Sequence, residues 1–199
     1  MSIKISGIAT KKQAPLQQTH HQNASLPKPA HPVLPEVEEE VKKLYLPVIP
    51  NSYICMHPGS RGSSYQWPPH YFAYIADSCI EKGYTAIITG TKEEKDITRE
   101  VIKCMRHSAI DLTGCTSTEA MAWLINNSFM LVANCTGALY MASIIQSPGV
   151  IICMDGKPER WKPANRRLHT VIDWMKTPYP EVVFNAVETI FTKQNALRA

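Results

Sequence analysis

Three short stretches of the chain carry residue types that suit anion chemistry. The first is Pro58-Gly59-Ser60-Arg61-Gly62-Ser63-Ser64-Tyr65-Gln66-Trp67-Pro68, which follows the apolar run Tyr53-Ile54-Cys55-Met56. Gly59, Gly62 and three serines leave backbone N–H groups uncovered, and Arg61 adds a planar cation, a combination suited to a diphosphate. A flexible loop ending in a core tryptophan is the competing reading, and the spacing is not that of a P-loop. The second stretch is Asn134-Cys135-Thr136-Gly137-Ala138-Leu139-Tyr140, a strand running into a helix through a small turn. The first N–H groups and the dipole of such a helix favour an anion, although capping by Thr136 explains the turn equally well. The third, Asp155 to Pro163, sets four charged side chains within six residues beyond a strand, suited to closing over a ligand or to lying solvated on the surface. A weaker fourth site is Thr89-Gly90-Thr91-Lys92-Glu93-Glu94, where Glu93 or Glu94 would accept from ribose hydroxyls, unless Glu94 serves only as a cap.

The elements that position these loops follow from periodicity. Apolar runs at 53–56, 86–88, 109–112, 129–133, 150–153 and 170–172 read as strands. Between them lie amphipathic stretches read as helices. One opens at Pro68-Pro69 and stops at Gly83; one is capped by Thr91 with Glu94 and runs to about His107. Another is capped by Thr116 with Glu119 and ends near Asn127; the next spans about Gly137 to Gln146, and the last starts at Pro180. Strands that are apolar throughout, alternating with helices, predict an α/β fold: a Rossmann-like doubly wound parallel sheet of about six strands with helices on both faces. Ligands of such sheets sit beyond the strand carboxyl ends where strand order reverses, which selects the loops above.

Residues 1–50 are expected to form a Pro-rich N-terminal arm or linker, with a short helix near Glu36–Leu46, and 51–199 a single Rossmann-like domain with a ligand crevice. The pair His20-His21 lacks partner ligands at metal spacing. Charge is +4 with no dense basic run, so no nucleic-acid partner is expected, and membrane contact is at most peripheral. No apolar stretch reaches the length of a membrane span. Six cysteines without a C-x-x-C pair read as reduced thiols of a cytoplasmic protein, and neither a metal nor another cofactor is expected. The missing G-x-G-x-x-G after the first strand speaks against a nicotinamide enzyme.

The segment from Tyr53 to about Ile172 resembles the C-terminal half of the family 9 glycosyltransferases, the bacterial heptosyltransferases. The resemblance rests on Pro58-Gly59-Ser60 and Tyr65-Gln66-Trp67-Pro68, which are similar to the family's P-G-[AS] turn and K-x-W-P element. It continues through Thr89-Gly90-Thr91, Leu112-Thr113-Gly114-Cys115-Thr116-Ser117, and Asn134-Cys135-Thr136-Gly137-Ala138-Leu139-Tyr140-Met141-Ala142, the last similar to N-D-[ST]-G-x-x-H-[LM]-A. Gly156 to Pro163 resembles the G-x-x-x-P-x-x-W-x-P loop, with Pro158 off the strict spacing.

This resemblance implies one half of a GT-B glycosyltransferase: a heptosyltransferase-like donor domain binding a nucleotide-diphospho-sugar for cell-surface polysaccharide or lipopolysaccharide synthesis, cytoplasmic or peripheral at the inner membrane. Residues 1–50 would be a remnant of the first domain. The implied donor-binding residues are Gly59, Ser60, Arg61, Tyr65, Thr89, Gly90, Glu93, Glu94, Cys135, Thr136, Gly137, Tyr140 and Lys157, while the catalytic residues stay unassigned. Three positions depart from the pattern: Tyr65 replaces the lysine, Cys135 the aspartate and Tyr140 the histidine. Arg61 or Lys157 would have to supply the missing positive charge. The departures, together with the missing first half, define the alternative: a catalytically inactive nucleotide-sugar-binding or protein-interaction module. Either form would pair with a separate N-terminal-half chain or with a second copy of itself.

Overall fold

The computed structural model describes residues 35–60, 65–161 and 167–196. Arg61, the arm before Pro35 and the end of the Gly156–Pro163 loop lie outside the described residues.

Six parallel strands form one sheet: β1 (Tyr53–His57), β2 (Thr85–Ile88), β3 (Ile110–Asp111), β4 (Met130–Asn134), β5 (Gly149–Cys153) and β6 (His169–Asp173). Their order is β3-β2-β1-β4-β5-β6, so the winding direction reverses between β1 and β4. In register, Tyr53 to Met56 of β1 pair with Thr85 to Ile88 on one side, and Ile54 to His57 pair with Met130 to Ala133 on the other. This is the doubly wound α/β sheet expected from the alternating pattern, with β3 shortened to two residues.

Alternation along the strands sends side chains to two separate cores. Ile54, Met56, Val132 and Ile152 pack with α2 (Pro69–Glu81), Val101 of α3 (Lys95–Cys104) and α6 (Pro180–Ala196). Tyr53, Cys55, Leu131 and Ile151 pack with α4 (Thr118–Asn127) and α5 (Gly137–Ile144). Both faces of β1, β4 and β5 are thus dry, which is why these strands read as continuous apolar runs.

Helix starts follow local chemistry with two revisions. The Thr91–Glu94 box does not open a single long helix. It closes a 3-10 turn, Lys92–Glu94, before α3 begins. The cap of α4 is Ser117, not Thr116: its hydroxyl oxygen accepts from the Ala120 N–H at 3.0 Å. Ser117 is chosen because α1 (Pro35–Lys43) lies across this end of α4. Glu40 accepts both the Ser117 N–H and its hydroxyl at 2.7 Å, and these two donors hold the Glu40 carboxyl below the usual carboxylate range. Val37 and Val41 of α1 pack on Ala120 beside Trp123.

Candidate functional site

The carboxyl ends of β1 and β4 are neighbours at the reversal of strand order, and their loops are tied to each other by one side chain. Asn134, the last residue of β4, is fully buried. Its Oδ1 accepts from the Trp67 N–H at 3.1 Å, and its Nδ2 donates to the Pro58 carbonyl at 2.7 Å. Both ends of the 58–67 loop are therefore anchored on the adjacent strand. Trp67 is buried as well, among Tyr71, Phe72, Trp174 and Phe184 at ring separations of 5.1–6.5 Å.

The anchoring leaves backbone donors open at both loops. In the β4–α5 turn, the Cys135 N–H continues the ladder to the Ile152 carbonyl, and Thr136 caps α5 by accepting from the Ala138 N–H at 3.3 Å. The N–H groups of Gly59 and Ser60 after β1, and of Thr136 and Gly137 before α5, have no hydrogen-bond partner among the described residues. A Cβ added at Gly137 would meet nothing within 4 Å, so the start of α5 opens on free space.

The β2 end contributes a carboxylate folded onto β1. Glu94 Oε2 accepts the Thr91 N–H at 2.8 Å and lies 3.8 Å from His57 Nε2, while Oε1 has no partner among the described residues. The carboxyl group occupies the space where a Cβ of Gly59 would stand. Only glycine fits there with Glu94 in place. Gly59→Ala is expected to swing Glu94 off Thr91, to cost about 1 kcal/mol of stability, and to move the Thr91 amide resonance; an unmoved resonance would refute the packing argument. Gly90 has a further tie, its carbonyl accepting from the Gly114 N–H at 2.8 Å, where Gly114 adopts φ 68°. The Leu112–Ser117 segment thus braces the Thr89–Gly90–Thr91 turn.

His57, at the end of β1, was not a sequence candidate. Nδ1 lies 3.1 Å from the Thr89 hydroxyl, and its ring is mostly covered. Burial pushes its pKa below the ordinary 6.5, and the Glu94 carboxylate offsets this only in part. Above pH ~6.5 the ring is neutral in both folded and unfolded chains. Below it the unfolded chain takes up the proton first, so stability falls as pH is lowered. Urea midpoints between pH 8 and pH 5 are expected to drop less steeply in His57→Gln than in the parent chain.

Of the other sequence candidates, Thr89 is fully buried, its hydroxyl spent on Met56 and His57. Glu93 points outward, its carboxyl held low by its own backbone amide and by the Thr91 hydroxyl. Tyr65 and Tyr140 are about half exposed. Lys157 is exposed, its N–H bound to Asp155 Oδ1 at 2.9 Å. Cys135 lies beside Cys153, and burial, first of all, pushes the Cys135 thiol far up, so it stays protonated. Cys153 donates to Asp155 Oδ1 at 2.9 Å. A carboxylate therefore stands one thiol away from position 135, a placement that only the β4–β5 register reveals. Of the named candidates, the structure gathers Gly59, Ser60, Gly90, Glu94, Thr136 and Gly137 along the edge formed by β2, β1 and β4.

Known proteins share this architecture. The family model described as glycosyltransferase family 9 (heptosyltransferase) matches residues 8–189. The lipooligosaccharide heptosyltransferase 2 of Haemophilus ducreyi is 27% identical over 104 residues, which is 50% of this chain and 30% of that protein. Among solved structures, a family 9 glycosyl transferase from Veillonella parvula superposes with a TM-score of 0.71 at 19% identity, over 81% of this chain and 53% of the other. The E. coli ADP-heptose lipopolysaccharide heptosyltransferase II gives 0.70 at 18% identity, over 80% of this chain and 52% of the other. The chain thus spans about a third of the curated relative and about half of each solved structure.

Proposed function

Because the chain belongs to glycosyltransferase family 9 (heptosyltransferase), we propose that it is a donor-binding domain that takes a nucleotide-diphospho-sugar at the β1/β4 edge, in the service of lipopolysaccharide or related polysaccharide synthesis. One observation carries this reading: two adjacent loops, latched together by Asn134, present at the reversal of strand order the N–H groups of Gly59, Ser60, Thr136 and Gly137, which have no partner among the described residues. Amides converging beside a helix start favour negative charge. Arg61, next in the chain, and Lys157 would add counter-charge to the diphosphate, and Glu94 would accept from the ribose hydroxyls. The E. coli relative is named for ADP-heptose, which makes ADP the first nucleotide to try.

A backbone-amide spectrum titrated with ADP tests the assignment. The resonances of Gly59, Ser60, Thr136 and Gly137 are expected to move together. Shifts scattered over other faces of the domain, with these four unmoved, would refute it.

The second reading, a nucleotide-sugar-binding or interaction module without transfer activity, is favoured by Cys135. Its protonated thiol carries no charge where the family pattern has an aspartate. A transfer assay with donor and a lipid A core acceptor, run with this chain alone, separates the two. Turnover supports the enzyme; binding without turnover supports the module. The division at residue 50, and pairing with a second chain, belong to the same proposal.

A further inference from the structure

We propose that the groove between α1 and α4 is a docking site for the chain's own Pro-rich segment, residues 26–34, held there within the same molecule. An open cavity of about 320 Å³ lies in this groove. Val41, Leu46 and Val48 give it aliphatic walls, and Tyr45 and Trp123 give it two rings. Trp123 is half-buried. Tyr45 follows α1 in the left-handed conformation, at φ 47°, and is 89% exposed. Glycine would hold that backbone at less cost, so the ring is what the position gains from tyrosine. Aromatic-lined grooves suit extended proline helices, which bring little ordering cost with them. The groove exists without an occupant, because Glu40 on Ser117, and Val37 and Val41 on Ala120, already fix α1 against α4.

Spacing, size and charge select the occupant. Pro29 and Pro32 are three residues apart, one turn of a polyproline II helix, and Pro35 opens α1 a further turn on. From Glu38 to Tyr45 the flank of α1 runs about 10 Å, and one polyproline turn spans about 9 Å. Residues 26–34 extend to about 28 Å, so they reach back along α1 with length to spare. Residues 1–34 hold four lysines, Lys28 among them, and no Asp or Glu. α1 opposes them with Glu36, Glu38, Glu39 and Glu40. Glu39 is paired with Lys42 at 2.8 Å and Glu40 is bound to Ser117. Glu36 and Glu38 make no hydrogen bond or salt bridge among the described residues, and Glu38 lines the groove. The direct join at Pro35 gives the segment an effective concentration on the order of millimolar, above that of a second copy in dilute solution.

The test uses the full chain and nuclear Overhauser spectra. Contacts are expected from the Trp123 indole protons to the δ-protons of Pro29 or Pro32. A mixture of isotope-labelled and unlabelled copies sorts them: contacts within one molecule support the proposal, and contacts between molecules overturn it in favour of a second copy. Two groove variants at exposed positions, Tyr45→Gly and Glu38→Lys, are each checked for a cooperative melt. They are expected to return the Ala30 and His31 amide resonances to their positions in a free peptide of residues 24–34. The arm variant Pro29→Ala with Pro32→Ala is expected to move the Trp123 indole resonance. The same peptide, added in trans, is expected to bind the arm variant about tenfold more tightly than the parent, whose groove is filled. Parent arm resonances equal to those of the free peptide, or a peptide that binds both proteins equally or neither, overturns the proposal. None of these outcomes bears on the nucleotide reading, which concerns the other loops.

Discussion

Asn134→Ala is expected to lower the unfolding free energy by about 2–5 kcal/mol and to release the 58–67 loop. The figure follows from what the side chain leaves behind. The Trp67 N–H and the Pro58 carbonyl are both bound to Asn134, and the residues carrying all three groups are buried. Each orphaned group costs about 1–3 kcal/mol when water cannot reach it, and Trp67 loses the anchor that seats it in its aromatic cluster. Against a total stability of typically 5–15 kcal/mol, such a loss is large. Asn134→Asp is expected to fare no better, since a carboxylate keeps the Trp67 contact but cannot donate to Pro58 and buries a charge. Urea unfolding followed by tryptophan fluorescence measures both variants. A change under about 0.5 kcal/mol would mean that the latch is not holding the two loops.

Gly137→Val is expected to leave the fold intact and to weaken nucleotide binding by about a hundredfold. A Cβ at Gly137 meets no atom of the protein, so the substitution builds into free space rather than into the core. That free space is where the proposal puts the diphosphate. A branched side chain there holds the anion away from the Gly137 and Thr136 amides, and losing two charge-assisted hydrogen bonds corresponds to roughly 3 kcal/mol. The contrast with Asn134 is useful: one variant breaks the scaffold, the other only fills the site. Unchanged affinity in Gly137→Val would move the ligand off the start of α5.

What was legible in the sequence divides along a physical line. Strands buried on both faces announce themselves as apolar runs, so β1, β2, β4 and β5 were placed within a residue or two. Contacts made across the fold left no local signal. Glu40 selects Ser117 over Thr116 as the cap of α4 from 77 residues away. Asn134 belongs to a recognisable turn, yet its hold on Trp67, 67 residues earlier, exists only once β1 and β4 are paired. His57 read as the mere end of a strand, because its partners Thr89 and Glu94 arrive from the next strand and turn. Glu93 and Glu94 are equivalent on paper; the Thr91 amide and the gap at Gly59 turn one inward and leave the other in solvent.

The most direct measurement is a calorimetric and thermal-shift panel with ADP, UDP, GDP and CMP and their sugar conjugates. A ligand that binds only the folded chain stabilises it by about 2.7 kcal/mol at a hundredfold excess over Kd. The expected result is a selective rise in melting temperature with one nucleoside diphosphate, lost in Arg61→Ala and Gly137→Val. A folded chain that responds to none of them would contradict the donor-site account, and would leave a domain whose Tyr65, Cys135 and Tyr140 mark a nucleotide site no longer in use.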